Sequence, residues 1–171
     1  AAGATEDLYA FGSDGFSVGV GGGGYINCNE SSKNYASWNW KAGGAASSNS
    51  DGTTTSSVSA NTTAGFSIVS YAGSGSAGAT VGHGLSQTPD LIIIKNRTAI
   101  TNWVVNSPIT NSGFTEWALK LDLDQATSTD STIWNNTAPT SSVFTLGTAG
   151  ESNRNNPDNY VAYCFHSVEG Y

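Results

Sequence analysis

The sequence predicts an all-β protein, an antiparallel two-sheet sandwich of jelly-roll-like form with long loops rich in Gly, Ser, Thr and Asn. Three observations lead there. First, two runs alternate at period two: Asn34-Tyr35-Ala36-Ser37-Trp38-Asn39-Trp40-Lys41 and Asn159-Tyr160-Val161-Ala162-Tyr163-Cys164-Phe165-His166. Second, the composition opposes long helices, because Ser, Thr and Asn compete for backbone hydrogen bonds and the 21 glycines cost entropy. Third, roughly nine or ten short apolar runs follow one another with turn signals between them, and no helical run stands out.

Taken in order, residues 1–13 read as an entry arm with Leu8, Tyr9 and Phe11 able to dock on a body spanning 14–171. Asp14-Gly15 signals a turn before a short strand over Phe16–Val20. The run Gly21–Gly24 breaks it; no Gly-Lys-Ser/Thr and no helix follow, so a bulged or flexible connection fits better than a phosphate loop. In the 34–41 run Ala36, Trp38 and Trp40 form the expected core face. Residues 42–52 are small and polar, a surface loop and a possible repeat boundary. A hairpin is expected from Thr53–Ser59 and Phe66–Tyr71 around a turn at Ala60–Gly65. Both faces of its second strand are partly apolar, which places that strand inside a sheet.

Ala72–Gly78 is a glycine-rich loop. Thr80–Leu85 leads through Pro89-Asp90 into Leu91-Ile92-Ile93-Ile94-Lys95, too short for a buried helix and read as a central strand. Trp103–Val105 follows as a strand. Glu116–Leu123 alternates, predicting Trp117, Leu119, Leu121 and Leu123 inward and Ala118 outward. After a polar turn come a short strand over Thr132–Trp134, a loop through Pro139, and a strand over Val143–Leu146. In the last run Val161, Tyr163 and Phe165 are the expected core face.

The 171 residues suffice for one domain with a real core. Only 11% are charged, so solubility falls to Ser, Thr, Asn and Gly. Aromatic residues make up 11%, more than disordered chains carry. A net charge of −7 with 6 Lys+Arg leaves no material for a basic patch, which argues against nucleic acid and anionic membranes as partners. No stretch approaches the length of a membrane span. The start Ala1-Ala2-Gly3, without Met, predicts a processed or excised chain. Cys28 and Cys164 are too few for a disulfide scaffold and lack metal-binding spacing. Cys164 reads as a small apolar core residue, and a Cys28–Cys164 bridge stays open at this level.

The two opening runs have an internal echo. Gly15-Phe16-Ser17-Val18-Gly19 precedes the first and Val143-Phe144-Thr145-Leu146-Gly147 the second, and both lead through a polar loop to Asn-Tyr-x-x-aromatic-x-aromatic. Either a duplicated unit or the mutual likeness of aromatic strand-loop-strand units accounts for this. Taken together, GFSVG (15–19), NYASWNWKAGG (34–44), TAGFSIVSYAGSG (63–75), VGHGLSQTPDLIIIKNR (81–97), WNNTAPTSSVFTLG (134–147) and NYVAYCFHSVEGY (159–171) resemble a domain of unknown function. That domain recurs, often in tandem, in structural and tail proteins of bacteriophages, marine ones especially. The resemblance runs in order over nearly all of 14–171. It implies a virion component and carries over no catalytic or binding residue.

Candidate chemistry is sparse. His83 lies between glycines, with Ser86 the only local hydroxyl and Asp90 downstream. It reads as a turn histidine whose ring bonds backbone near the start of the Leu91 strand rather than as a catalytic base. His166 continues the last strand in a structural role. Asp122, Asp124 and Asp130, with Glu116 nearby, are weak Ca²⁺ candidates, because alternate carboxylates share one side of a strand and the loop beyond can add oxygens. Their plainer reading is a solvated strand face. No paired-carboxylate motif of a glycosidase is present. Of the tryptophans, Trp134, next to Asn135-Asn136, is the best candidate for a surface ring in glycan contact, with core packing as its plainer reading.

The expected function is therefore non-enzymatic and without cofactor. The chain is expected to be a structural module of a phage virion, in a tail fibre or decorating a capsid. It would lie at the particle surface, presenting loops and touching other virion proteins and copies of itself. The alternative is a carbohydrate-binding adhesin or receptor-binding module that contacts host-surface glycan, which a groove with exposed Trp or Tyr rings would favour.

Overall fold

The computed structural model describes residues 8–19, 28–108, 117–155 and 158–170. They divide into two compact units, Ala1–Asn39 and Trp40–Tyr171.

In the first unit, β1 (Leu8–Phe11) and β2 (Phe16–Val18) form an antiparallel hairpin with a register shift between Leu8 and Ala10. The Asp14-Gly15 turn signal is its tip, closed by Gly12 N–H donating to the Gly15 carbonyl at 2.7 Å. The hairpin spans the point, between residues 13 and 14, where the sequence suggested an arm giving way to a body. Asn29 donates from its amide to the Gly19 carbonyl at 3.0 Å, and Tyr35 Oη accepts the Glu30 N–H at 2.8 Å. The glycine run Gly21–Gly24 lies outside the described residues.

The second unit contains β3 (Ser47–Asn49), β4 (Ser56–Asn61), β5 (Phe66–Ala72), β6 (Ala79–Gly82), β7 (Leu91–Asn96) and β8 (Val104–Asn106). After these come β9 (Trp117–Lys120), β10 (Ser128–Thr129), the helical turn α1 (Ser131–Trp134), β11 (Val143–Leu146) and β12 (Asn159–Phe165). One layer is an 8-stranded antiparallel sheet in the order β10-β9-β8-β7-β12-β5-β4-β3, and the other is the 2-stranded pair β11-β6. The architecture is the all-β sandwich that the sequence predicts, with very unequal layers and no closed barrel.

The core forms where β6, β11 and α1 cover one face of the large sheet. Across that face Val58, Val69, Ala162, Ile94 and Val104 stand in a single row over five strands, and all are buried. Val81, Ile133, Trp134, Phe144 and Leu146 meet them from the other side. Full burial of each such aliphatic side chain contributes about 1.5–3 kcal/mol.

Four expectations are corrected. In β12 the buried residues are Tyr160, Ala162 and Cys164, whereas Val161, Tyr163 and Phe165 are half-buried on the opposite face. Both faces of this strand are apolar, so alternation alone did not identify the one facing the second layer. The stretch 34–41 is no strand: Trp38 is 74% and Trp40 56% exposed, and no described strand pairs with it. The echo thus takes two different structures, irregular chain at 34–40 and strand at 159–165. The β9 strand stops at Lys120, so Leu121 and Leu123 are exposed and Ala118 is the buried residue. Finally, Ser131–Trp134 is helical, because Asp130 caps its first turn through Thr132 N and Asn135 closes it in the left-handed region at φ 53°.

A buried polar cluster ties residues 147–154 to the 74–76 segment and to the ends of β7 and β12. Asn153 donates to the carbonyls of Ser76 (3.0 Å) and Gly147 (2.7 Å) and accepts from Ser74 N (2.7 Å) and Gly75 N (3.2 Å). Asn96 donates to Gly150 O, Asp158 Oδ2 and Tyr160 Oη within 2.9–3.2 Å. These bonds are why Asn96, Asn153 and Asp158 are tolerated in the interior. Among the described residues no helix is long and apolar enough to cross a membrane.

Candidate functional site

The histidines are held by backbone. His83 sits just after β6, fully buried. Its Nδ1 accepts the Leu85 N–H at 3.2 Å, which leaves Nε2–H to donate to the Thr140 carbonyl at 3.1 Å. Both ring nitrogens are therefore occupied, by Leu85 and Thr140 rather than by backbone at the start of the Leu91 strand. Burial holds its pKa below the ordinary value, with the His166 ring acting in the same direction and the Thr140 carbonyl and Asp51 opposing. Asp90 is turned to a different task, accepting Ser167 N–H (2.7 Å) and Ser167 Oγ–H (2.8 Å), which fastens the chain after β12. Ser86 is exposed. His83, Ser86 and Asp90 thus make no relay. His166 Nδ1 lies 2.8 Å from the Ser167 carbonyl, while its buried Nε2 has no partner among the described residues.

The acidic residues are likewise employed in local structure. Asp122 Oδ1 accepts the Trp103 N–H at 3.1 Å, and Asp130 Oδ1 accepts Thr132 N–H at 3.0 Å as the helix cap. Asp124 is exposed. Among the described residues no three metal-ligating side chains come together, and Glu116 lies outside them. Cys28 and Cys164 are both free thiols. Burial pushes the Cys164 thiol up to about 12, so it is an inert apolar residue.

Trp134 is not a surface ring. It is 1% exposed at the end of α1, and its Nε1–H finds no partner among the described residues. Exposed instead are Trp38 and Trp40, which the sequence assigned to the core, together with Tyr35. In the first unit Tyr35 and Trp38, with Leu8, Phe11, Phe16 and Val18, line an open apolar groove of about 700 Å³, edged by the polar side chains of Asn29, Ser37 and Asn39. In the second unit the Trp40 ring stands over Phe66 and Phe165, with centroids 6.1 Å and 5.3 Å away.

Those two phenylalanines belong to the face of the large sheet turned away from β6 and β11. On it Ser59, Ile68, Tyr163, Ile93, Val105 and Leu119 stand in one cross-strand row. A second row carries Phe66, Phe165 and Leu91 at the Trp40 end. On the other side of the Tyr163 row, Ser48, Ser57, Ser70, Val161 and Lys95 line up. The face therefore grades from aromatic through aliphatic to hydroxyl-bearing, with most of its apolar side chains half-buried. The alternation in β5, apolar on both sides, was the sequence signal for it. The sequence held no signal for the polar row, which exists only once β3, β4 and β5 are in register.

The family model of a domain of unknown function, DUF7483, matches residues 1–171. No curated protein matches the chain, and no solved structure does.

Proposed function

We propose that this chain, which belongs to the DUF7483 family of domains of unknown function, is a non-enzymatic structural module of a bacteriophage virion. In this reading it sits at the particle surface, in a tail fibre or as a capsid decoration, and touches other virion proteins and copies of itself. The observation that supports it best is the outer face of the large sheet. An apolar row in which Ile68, Tyr163, Ile93 and Leu119 are half-buried offers association a nearly uncharged surface. The test is immunogold labelling and mass spectrometry of gradient-purified phage encoding the chain. Stoichiometric presence with surface labelling is expected; absence from the purified particle, or presence only in the host lysate, overturns the reading.

A second reading, a glycan-binding module, draws support from the Tyr35 and Trp38 rings in the groove of the first unit. Flat rings beside amide and hydroxyl groups suit the apolar faces and hydroxyls of a sugar. Binding of a neutral oligosaccharide that is lost in Trp38→Ala supports it, and no binding by the unaltered chain removes it.

A further inference from the structure

We propose that the hydroxyl-bearing end of the outer sheet face is a binding site for a glycan that carries carboxylate groups, with Arg97 as the residue that receives the carboxylate. The site is a groove of about 590 Å³, within the range that holds a small ligand. Ser48, Thr55, Ser57, Ser70, Arg97 and Thr98 line it. Its floor follows from strand register. Ser48 is opposite Ser57 and Ser57 is opposite Ser70, so three hydroxyls stand on one face at successive strands, about 4.8 Å apart. The first two of these strands are short of apolar residues on this side, which leaves the row open to solvent.

The hydroxyls are unspent. The Oγ atoms of Ser48, Thr55, Ser57 and Ser70 are bonded to no described residue, whereas Ser56 and Ser59 beside them donate inward to Gly82 O and Gly44 O at 2.9 and 2.7 Å. A hydroxyl both donates and accepts, and a row of them matches a polyol better than it matches a ligand of one polarity. Arg97 adds the charge. Of the chain's two arginines, Arg154 lies 3.9 Å from the Asp158 carboxylate, while the exposed Arg97 guanidinium meets no carboxylate among the described residues. Its backbone is fixed at the rim by its N–H bond to the Asn159 carbonyl at 2.7 Å. A guanidinium presents a planar fork that takes a carboxylate through two parallel bonds.

The overall charge narrows the ligand further. At −7 the chain repels polyanions at long range, so a nucleotide or polyphosphate gains little from one arginine. A sugar acid brings one charge among several hydroxyls, and short-range bonds supply the recognition. This inference rests on the glycan-binding reading and adds to it a second surface and a ligand class.

The test uses the full chain with a galactose trisaccharide that carries a single galacturonic acid unit and with neutral galactotriose, followed by titration calorimetry and by amide shifts of Ser57, Ser70 and Arg97. The acid is expected to bind about tenfold tighter or more, since a charge-assisted pair left unmade weakens binding by at least that factor. Arg97→Gln should remove the preference and leave the neutral sugar unaffected, Arg97→Lys should restore part of it, and Ser57→Ala should weaken both. Both positions, Arg97 and Ser57, are exposed, so the variants should fold. Equal binding of the two sugars, or a preference that survives Arg97→Gln, overturns the inference and leaves the glycan-binding reading standing. Binding of neither sugar overturns both.

Discussion

Asn153 is the residue whose replacement should tell most about how the second unit holds its loops. Its amide is fully buried, and its two N–H groups and its carbonyl oxygen are all engaged, with the carbonyls of Ser76 and Gly147 and the amides of Ser74 and Gly75. Asn153→Ala removes these four bonds at once, together with a longer one at 3.3 Å from the Ser74 hydroxyl. A net worth of about 1 kcal/mol per bond gives about 4 kcal/mol. Three of the four bonds are only partly buried, so water can reach some of the orphaned groups and the expected loss is about 3–4 kcal/mol. Asn153→Asp should be no milder, because a carboxylate oxygen would then face two carbonyls. The assay is urea unfolding of the full chain monitored by far-ultraviolet circular dichroism, with the slope compared between variants. Exposed Ser86→Ala is the control and should stay within about 0.5 kcal/mol. A loss below about 1 kcal/mol for Asn153→Ala at unchanged slope would refute the idea that this amide, rather than apolar packing, fastens the 73–78 and 147–155 segments together.

Two further outcomes follow. Trp134→Ala should cost about 3–5 kcal/mol in the same unfolding assay, because it empties a fully buried site, whereas Trp38→Ala should cost about 0.5 kcal/mol or less; comparable losses would contradict the assignment of exposed and buried indoles. His83 is held below its ordinary pKa by burial, so the unfolded chain takes up the proton first. Its contribution is intact above about pH 6.5 and declines as pH falls below it, by at most about 1.4 kcal/mol per pH unit. Stability measured from pH 7.5 to 5.5 should therefore fall more steeply for the unaltered chain than for His83→Gln, and parallel curves would exclude the effect.

The parts of the fold legible in the sequence are those whose signal is local. The β4–β5 hairpin, the Ile-rich β7 strand, and β11 and β12 lie where apolar alternation and turn residues place them. What alternation did not reveal is which side of a doubly apolar strand meets the second layer. Tyr160 goes inward because its hydroxyl finds Asn96, Gly150 and the Arg154 N–H there, partners contributed by the end of β7 and by the segment that leads into β12. The 34–41 stretch shows that alternation is not sufficient, since a strand also needs a neighbour to complete its ladder. The α1 turn could have been found. Asp130 and Asn135 bracket Ser131–Trp134 as a cap and a left-handed stop, a pattern that outweighs the polar Asn135-Asn136 pair that suggested a surface ring. The hydroxyl row at the polar groove has no local signature, because its members come from three strands.

The order of strands carries a consequence for biosynthesis. β12 lies between β5 and β7, so the halves β3-β4-β5 and β7-β8-β9-β10 have no ladder joining them until residues 159–165 are available. On a translating ribosome both halves would wait with naked edges, each able to recruit a stranger's strand. Closure by a late central insert makes assembly slow relative to a meander of equal size, and it favours dilution or chaperone shelter during synthesis.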